Sequence, residues 1–177
     1  RTDVHALLLT DAVDSTSIAE TLGDAAMDAA WTAHDRAARE LLARWNGREI
    51  DKSDGMLLLF DRAADALGYT LALHRALADL GLPLRVRAGI HCGEVLLHAN
   101  PAEAVARGAK PLEVMGKAVA VAARIMRVAH GGQTLLSADA LAACGDAVAQ
   151  ARSHGYWKLK GVDEPLELFE VIAPGGA

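Results

Sequence analysis

Short apolar runs alternate along this chain with longer stretches in which apolar residues recur every three or four positions. Residues 5–10 form a nearly continuous apolar run, which is typical of a buried strand. From residue 17 to about residue 44 the apolar positions have helical spacing, and Gly23-Asp24 divides this stretch into a short and a long helix. Asn46-Gly47 ends the long helix, because glycine readily takes the conformation that closes a helix.

The middle of the chain repeats this alternation. Residues 49–60 predict a hairpin whose polar turn, residues 51–55, precedes an apolar strand. Asp61 is the predicted N-cap of a helix that runs to about residue 80. Residues 84–97 alternate between apolar and polar side chains and predict a strand, and residues 98–115 form a long connection of the kind that is often functional.

The pattern of the C-terminal third of the chain predicts further helices and strands. They are a helix over 116–130, a strand over 133–137, a small helix over 138–144, and a hairpin of 155–160 with 166–171. Pro174-Gly175-Gly176 predicts a frayed tail. The order of elements favours an α+β fold, a ferredoxin-like βαββαβ sheet with helices on one face and extra C-terminal strands.

Composition narrows the class of protein. The 177 residues suit one domain, which we place at residues 1–172 with a tail at 173–177. The net charge of −5 argues against a general nucleic-acid binder. Cys92 and Cys144 follow no disulfide or metal spacing, no run is long enough to span a membrane, and no signal peptide is visible, so we expect a cytoplasmic protein. Because the chain begins at Arg1, we expect a fragment of a longer protein with further regulatory domains.

Candidate chemistry begins where the first apolar run ends in Asp11. The small polar residues that follow open a helix, so their free backbone N–H groups can face an anion. Asp54 lies in the hairpin turn before the second apolar strand, and two strands can bring both carboxylates to one edge of a sheet. Paired carboxylates suit divalent cations that carry a polyphosphate. Each aspartate has a simpler interpretation, as a helix cap or a turn residue.

Five stretches, taken together and in their order, resemble the catalytic domain of class III nucleotidyl cyclases. They are residues 10–16, 53–60, 87–95, 116–124 and 159–165. The resemblance covers nearly the whole chain. It implies a lyase that converts a nucleoside triphosphate to a 3′,5′-cyclic nucleotide and pyrophosphate, by in-line attack of the ribose 3′-hydroxyl on the α-phosphate.

The resemblance also implies roles for single residues. Asp11, Asp54 and the carbonyl of Ala12 would hold two Mg²⁺ or Mn²⁺ ions. Arg124 would stabilise the transition state, as a planar guanidinium suits spread negative charge. The remaining implied nucleotide contacts are the turn residues Val13, Asp14, Ser15 and Thr16 with the triphosphate-binding Arg87 and Lys160.

Two departures from the family pattern affect activity and base preference. Ala120 stands where the family has an asparagine that orients the ribose, which puts activity in doubt. The first hairpin is one residue short, so either Asp51 or Lys52 takes the base-reading position, with Glu113 as its partner. Lys52 with Glu113 would suit adenine and Asp51 with Glu113 guanine; ATP is favoured, GTP is the alternative, and a pyrimidine nucleotide stays open.

The resemblance finally implies an assembly. Because the family's metal aspartates and its transition-state arginine come from different subunits, and this chain carries both, we expect a head-to-tail homodimer. The alternative function is a catalytically weak or inactive regulatory domain that binds nucleotide or only dimerises, which Ala120 and the shortened hairpin motivate.

Overall fold

The computed structural model describes residues 2–172, which form strands and helices in close succession. The strands are β1 Thr2–Val13, β2 Gly47–Lys52, β3 Gly55–Phe60, β4 Arg85–Ala99, β5 Leu112–Met115, β6 Thr134–Ser137, β7 Ala151–Trp157 and β8 Leu166–Val171. The helices are α1 Ser15–Leu22, α2 Asp24–Arg44, α3 Ala63–Asp79, α4 Ala102–Ala106, α5 Lys117–Val128 and α6 Ala138–Cys144. The predicted tail at 173–177 lies outside the described residues.

Within the described residues the strands form one sheet in the order β2-β3-β1-β4-β6-β8-β7, and β5 pairs with the far end of β4. β1 is the centre of the site-bearing half, since it pairs antiparallel with β3 on one side and with β4 on the other. β4 pairs with β6 in parallel. The prediction of a mixed α+β fold is confirmed.

Helices cover both faces of this sheet, so the prediction of helices on one face is wrong. Leu8 packs in a cluster with residues of α2, α3 and α6, whereas its neighbour Leu7 packs in a second cluster with Ala118 and Ala122 of α5. The physical reason is that β1 is apolar at successive positions. Side chains of successive residues point to opposite faces, and both faces therefore need cover.

α5 lies close against β4 because Gly89 has no side chain. A Cβ built on Gly89 would lie 2.4 Å from the backbone nitrogen of Met126 and 2.8 Å from the carbonyl oxygen of Ala122, both on α5. The other side of α5 packs in a third cluster with β6 and β8, through Val121 and Ile125. The position of α5 is thus fixed by backbone contact on one side and by apolar packing on the other.

Several predicted boundaries shift. Residues 98–115 are not one irregular connection, because β4 continues to Ala99 and the segment then forms α4 and β5. Arg62, and not Asp61, occupies the N-cap position of α3, and Asp61 lies 3.3 Å from the ring of His5. β7 ends at Trp157, so Lys160 lies in the turn before β8. No helix among the described residues is long and apolar enough to cross a membrane.

Candidate functional site

The pairing of β1 with β3 brings the two predicted aspartates together. Asp11 lies opposite Gly55, and the backbone N–H of Ala12 donates to the carbonyl of Asp54 at 3.3 Å. Gly55 fixes this register, because a Cβ there would lie 1.7 Å from the carbonyl oxygen of Thr10. The buried Thr10 side chain adds a bond by accepting from the N–H of Met56 at 3.1 Å.

A cavity of about 320 Å³ lies beside this pairing. Its walls include three carboxylate residues, Asp11, Asp51 and Asp54. Ser53 lies between two of them, and Met126 of α5 closes another side. The structure therefore gathers anionic side chains from β1, β2 and the β2–β3 turn around one concave surface.

Asp11 is bound by Arg87, its cross-strand neighbour on β4. Arg87 donates from Nε to Oδ1 at 2.7 Å and from Nη2 to Oδ2 at 3.2 Å, while its Nη1 donates to the carbonyl of Arg127 at 3.0 Å. Both side chains of the pair are 27% exposed. Asp54 differs, since its carboxylate has no hydrogen-bond or ion-pair partner within the described part of the chain.

The oxygen donors at this edge fit a hard divalent cation. The two carboxylates and the backbone carbonyl of Ala12 are ligands of the type that Mg²⁺ prefers. Across residues 2–172 there is no group of three or more His, Cys, Asp or Glu side chains arranged around a metal. A sparse donor set of this kind suits an ion that keeps waters and completes its shell with phosphate oxygens.

The turn from β1 into α1 is tight. Asp14 takes a left-handed conformation with φ 55° and ψ 30°, and α1 begins at the next residue. The Asp14 carbonyl accepts the N–H of Ile18 at 3.0 Å, but its side chain makes no capping bond. The N–H groups of the first turn, which includes Ser15 and Thr16, therefore have no side-chain cap, as an anion-binding turn requires.

Asp51 and Lys52 point in different directions, and Asp51 lines the cavity. The Lys52 ammonium instead lies 4.6 Å from the centre of the Trp31 ring and 3.5 Å from a carboxylate oxygen of Asp35, both on α2. The structure therefore does not bring Lys52 to the cavity where the adenine hypothesis needs it.

Asp51 forms an ion pair with Lys110, a residue that the sequence did not single out. Lys110 lies 2.7 Å from Asp51, and this hydrogen bond lowers the pKa of the Asp51 carboxyl. Asn100 donates to the carbonyl of Lys110 at 2.7 Å and to Glu113 at 3.2 Å, which joins Glu113 to the same segment. The available signal was the length of the connection that contains Asn100 and Lys110.

Arg124 and Lys160 are not at this cavity in the single chain. Arg124 is half-buried on α5, one turn after the exposed Ala120, and Lys160 lines a separate groove formed by residues 158–163. Neither side chain has a hydrogen-bond or ion-pair partner among residues 2–172. The chain therefore presents two cationic groups apart from its own carboxylates.

Two polar residues of central β4, His91 and Cys92, stay neutral near pH 7. Burial lowers the pKa of His91, whose Nδ1 lies 2.7 Å from the hydroxyl of Ser137. Burial raises the pKa of the Cys92 thiol to about 11. Neither group supplies a charge to the cavity.

Comparison with known proteins gives the fold. No family model matches the chain. Uncharacterised proteins of Mycobacterium tuberculosis and Mycobacterium bovis are 29% identical over 179 aligned positions, which cover 95% of this chain and 55% of each relative. The chain thus spans about half the length of these curated relatives.

Three solved structures share the whole architecture. The guanylyl cyclase Cya2 is 25% identical with a TM-score of 0.82, over 97% of this chain and 92% of that one. The adenylyl cyclase CyaB of Pseudomonas aeruginosa is 18% identical, with a TM-score of 0.84 over 98% and 96%. A dimeric guanylyl cyclase domain of Blastocladiella emersonii is 13% identical, with a TM-score of 0.83 over 98% of both chains. The chain has the fold of class III adenylate and guanylate cyclase catalytic domains.

Proposed function

We propose that this chain, with the fold of a class III cyclase catalytic domain, is a nucleotidyl cyclase that forms a 3′,5′-cyclic nucleotide and pyrophosphate. The observation that carries the proposal is the register of β1 against β3, which places Asp11 and Asp54 side by side on one cavity. Two unlike segments of the chain converge there with oxygen donors, and an adjacent turn leaves its backbone N–H groups uncapped.

The residues divide the chemistry between them. Asp11, Asp54 and the Ala12 carbonyl would hold Mg²⁺ or Mn²⁺, and bound divalent cations lower the pKa of a coordinated hydroxyl and neutralise phosphate charge. The turn of residues 13–16 binds the β- and γ-phosphates through its N–H groups. Arg124 then stabilises the charge that develops on the α-phosphate as the 3′-oxygen attacks and pyrophosphate leaves.

Ala120 lowers the rate of this enzyme. An alanine cannot donate a hydrogen bond to the ribose, and the loss of one positioned donor costs on the order of a hundredfold in rate. The exposed position of Ala120, one turn before Arg124, leaves no polar side chain of its own at that point. We therefore expect slow turnover from an intact metal site.

A second subunit completes the site. The cavity of one chain contains Asp11 and Asp54 but neither Arg124 nor Lys160. A head-to-tail homodimer supplies both cations from the partner and creates two equivalent sites. The metal ligands of one subunit then act with the arginine and lysine of the other.

The residues proposed to contact the nucleotide base favour guanine over adenine. Asp51 presents carboxylate oxygens, and Lys110 presents an ammonium bound to it at 2.7 Å. Guanine carries two N–H donors beside one carbonyl acceptor, which match a carboxylate and an ammonium together. The adenine hypothesis depended on Lys52, which is bound to α2.

A turnover assay with each of the four nucleoside triphosphates and Mn²⁺ tests the proposal. We expect cyclic product from the wild-type chain and a loss of about a hundredfold or more in Asp11→Asn and Asp54→Asn, because each removes a charged metal ligand. Asp146→Asn, an exposed position away from the cavity, is the matched control and should keep wild-type activity. No product from any nucleotide, from a protein shown to be dimeric, would contradict the proposal.

The second candidate is a regulatory domain that binds nucleotide without turnover, and Ala120 is the observation that favours it. Isothermal titration with a non-hydrolysable nucleotide, run beside the turnover assay, separates the two. Tight binding with no product in any assay supports the regulatory function.

A further inference from the structure

Arg87 is bound to Asp11, the carboxylate that the proposed function assigns to a metal ion. Both oxygens of Asp11 accept N–H groups of one guanidinium, at 2.7 and 3.2 Å. The third nitrogen of Arg87 is held by the Arg127 carbonyl at 3.0 Å. A planar guanidinium whose three nitrogens all donate hydrogen bonds is held strongly and in one orientation. While this pair persists, each Asp11 oxygen uses one of its two lone pairs on Arg87, and a cation that approaches Asp11 also meets the positive charge of the guanidinium.

The two aspartates are therefore unequal before any ligand binds. Asp54 has no partner for its carboxylate within the described residues, whereas both oxygens of Asp11 accept hydrogen bonds from Arg87. The pair is partly shielded, with 27% exposure on each side chain, so bulk water and salt screen it less than an open surface pair. The positive charge needed at Asp11 is thus already present in the protein.

We propose that Arg87 is an internal counter-ion of Asp11, which a divalent metal ion displaces, so that metal binding frees the Arg87 guanidinium for an anionic ligand. The inference rests on the proposed function of the same site. It gives Arg87 a positioning role in the ligand-free protein, where it holds the Asp11 carboxylate in one orientation.

This exchange has a thermodynamic consequence. A metal ion that binds alone must break a charge-assisted pair, so its affinity is reduced by the strength of that pair. An anionic ligand that binds the released Arg87 favours the same metal-bound state, and the coupling is reciprocal. The protein therefore discriminates against metal ions that arrive without a phosphate ligand.

Titration of the full chain with Mn²⁺ alone, with free Mn²⁺ measured by electron paramagnetic resonance, tests the exchange. Arg87→Met should bind Mn²⁺ about tenfold more tightly than wild type, because the competing charge-assisted hydrogen bonds are gone. Arg87→Lys keeps the charge without the fork and should lie between the two.

Arg85→Met is the matched control. Arg85 lies two residues earlier on β4, is exposed, and lines a different cavity with His74 and Gly131, so its loss removes the same charge but no contact to Asp11. Its Mn²⁺ affinity should stay close to that of wild type. Asp11→Asn in the Arg87→Met background should abolish the gain, which locates the metal.

The outcomes separate this inference from the proposed activity. If cyclic product forms but Arg87→Met binds Mn²⁺ no more tightly than wild type or Arg85→Met, the counter-ion role is overturned and the cyclase proposal stands. If no nucleotide is cyclised but the gain appears and depends on Asp11, the counter-ion role stands and the activity fails. Absence of Mn²⁺ binding in every variant overturns the counter-ion role, since removal of Arg87 must expose a cation site.

Discussion

At the scale of single residues, one irregularity in β2 decides which side chain faces the cavity. The register of β2 against β3 shifts between Glu49 and Asp51, so two neighbouring residues change the faces they occupy. Because side chains alternate along a strand, a shift by one position exchanges the inward and outward sets. The result is that Asp51 lines the cavity and Lys52 lies against α2.

The Asp51–Lys110 pair predicts a preference for GTP over ATP. In Lys110→Met the ratio of kcat/KM for GTP to that for ATP should fall about tenfold, because the donor to the guanine carbonyl is lost. Parallel assays of both nucleotides measure this ratio. Arg107→Met, in the same connection and exposed, is the control and should leave the ratio unchanged. A wild-type preference for ATP would contradict the assignment.

Sequence reasoning reached some residues of the site and not others. Asp11 and Asp54 were predictable because each adjoins an apolar run, and two such runs can pair so that their ends meet at one edge of a sheet. The choice between Asp51 and Lys52 was not predictable, because a bulge has no signature in apolar alternation. Lys110 was missed because its partner Asp51 lies more than fifty residues earlier in the chain, which no local pattern records. Asn100 was missed because its partners, the Lys110 carbonyl and Glu113, come close only when the segment after β4 folds back on itself.

At the scale of elements, the contact of α5 with β4 holds Arg124 in place. Gly89 allows this contact, since a Cβ there would meet the α5 backbone and not a flexible side chain. A backbone neighbour cannot move aside without moving its whole helix. The position of Arg124 therefore depends on an uncharged residue of the adjacent strand.

Gly89→Ala should destabilise the protein and slow catalysis together. The added methyl group forces α5 away from the sheet, at a cost of about 1–3 kcal/mol in the free energy of unfolding. Urea unfolding and kcat measure the two effects. Gly131→Ala is the control, because the added carbon would lie 3.0 Å from the Cβ of Arg85, a tight contact but not an overlap with helix backbone, and its effect should be smaller. An unchanged urea midpoint for Gly89→Ala would refute the proposed backbone contact.

The elements themselves were largely predictable, with instructive exceptions. Helices α2, α3 and α5 have apolar residues at helical spacing, and β1, β3 and β4 have the patterns of buried strands. β7 was placed too late because it is an edge strand with exposed Tyr156 and Trp157, so no buried face sets its alternation. That helices cover both faces of the sheet was not predictable, because the sequence pattern does not show against which face α5 packs.

At the scale of the whole molecule, Arg124 lies apart from the cavity of its own chain. In the proposed homodimer, one chain would contribute the carboxylates and the second chain would contribute Arg124 and Lys160. Loss of either set would inactivate the homodimer, but the two losses would be complementary. A mixed dimer of the two kinds of inactive subunit would then contain one intact site.

Mixing Asp11→Asn with Arg124→Ala should restore activity. Each variant alone is expected to be inactive, yet the mixed dimer contains one intact site, so a statistical mixture recovers about a quarter of wild-type activity. Turnover measured against the mixing ratio, with Asp11→Asn mixed with Asp54→Asn as the control, checks this. The control pair should stay inactive, since both losses fall on the same side. Equal activity of the two mixtures would rule out a shared site.

The central position of β1 in the sheet also matters while the chain is being synthesised. β1 leaves the ribosome before β4 does, and the partner that closes one side of Asp11 is Arg87, 76 residues later. Until β4 has emerged, an apolar strand presents an unpaired edge, which is a template for aggregation. A nascent chain that stalls before β4 is therefore prone to aggregate, and it still lacks the arginine that pairs with Asp11.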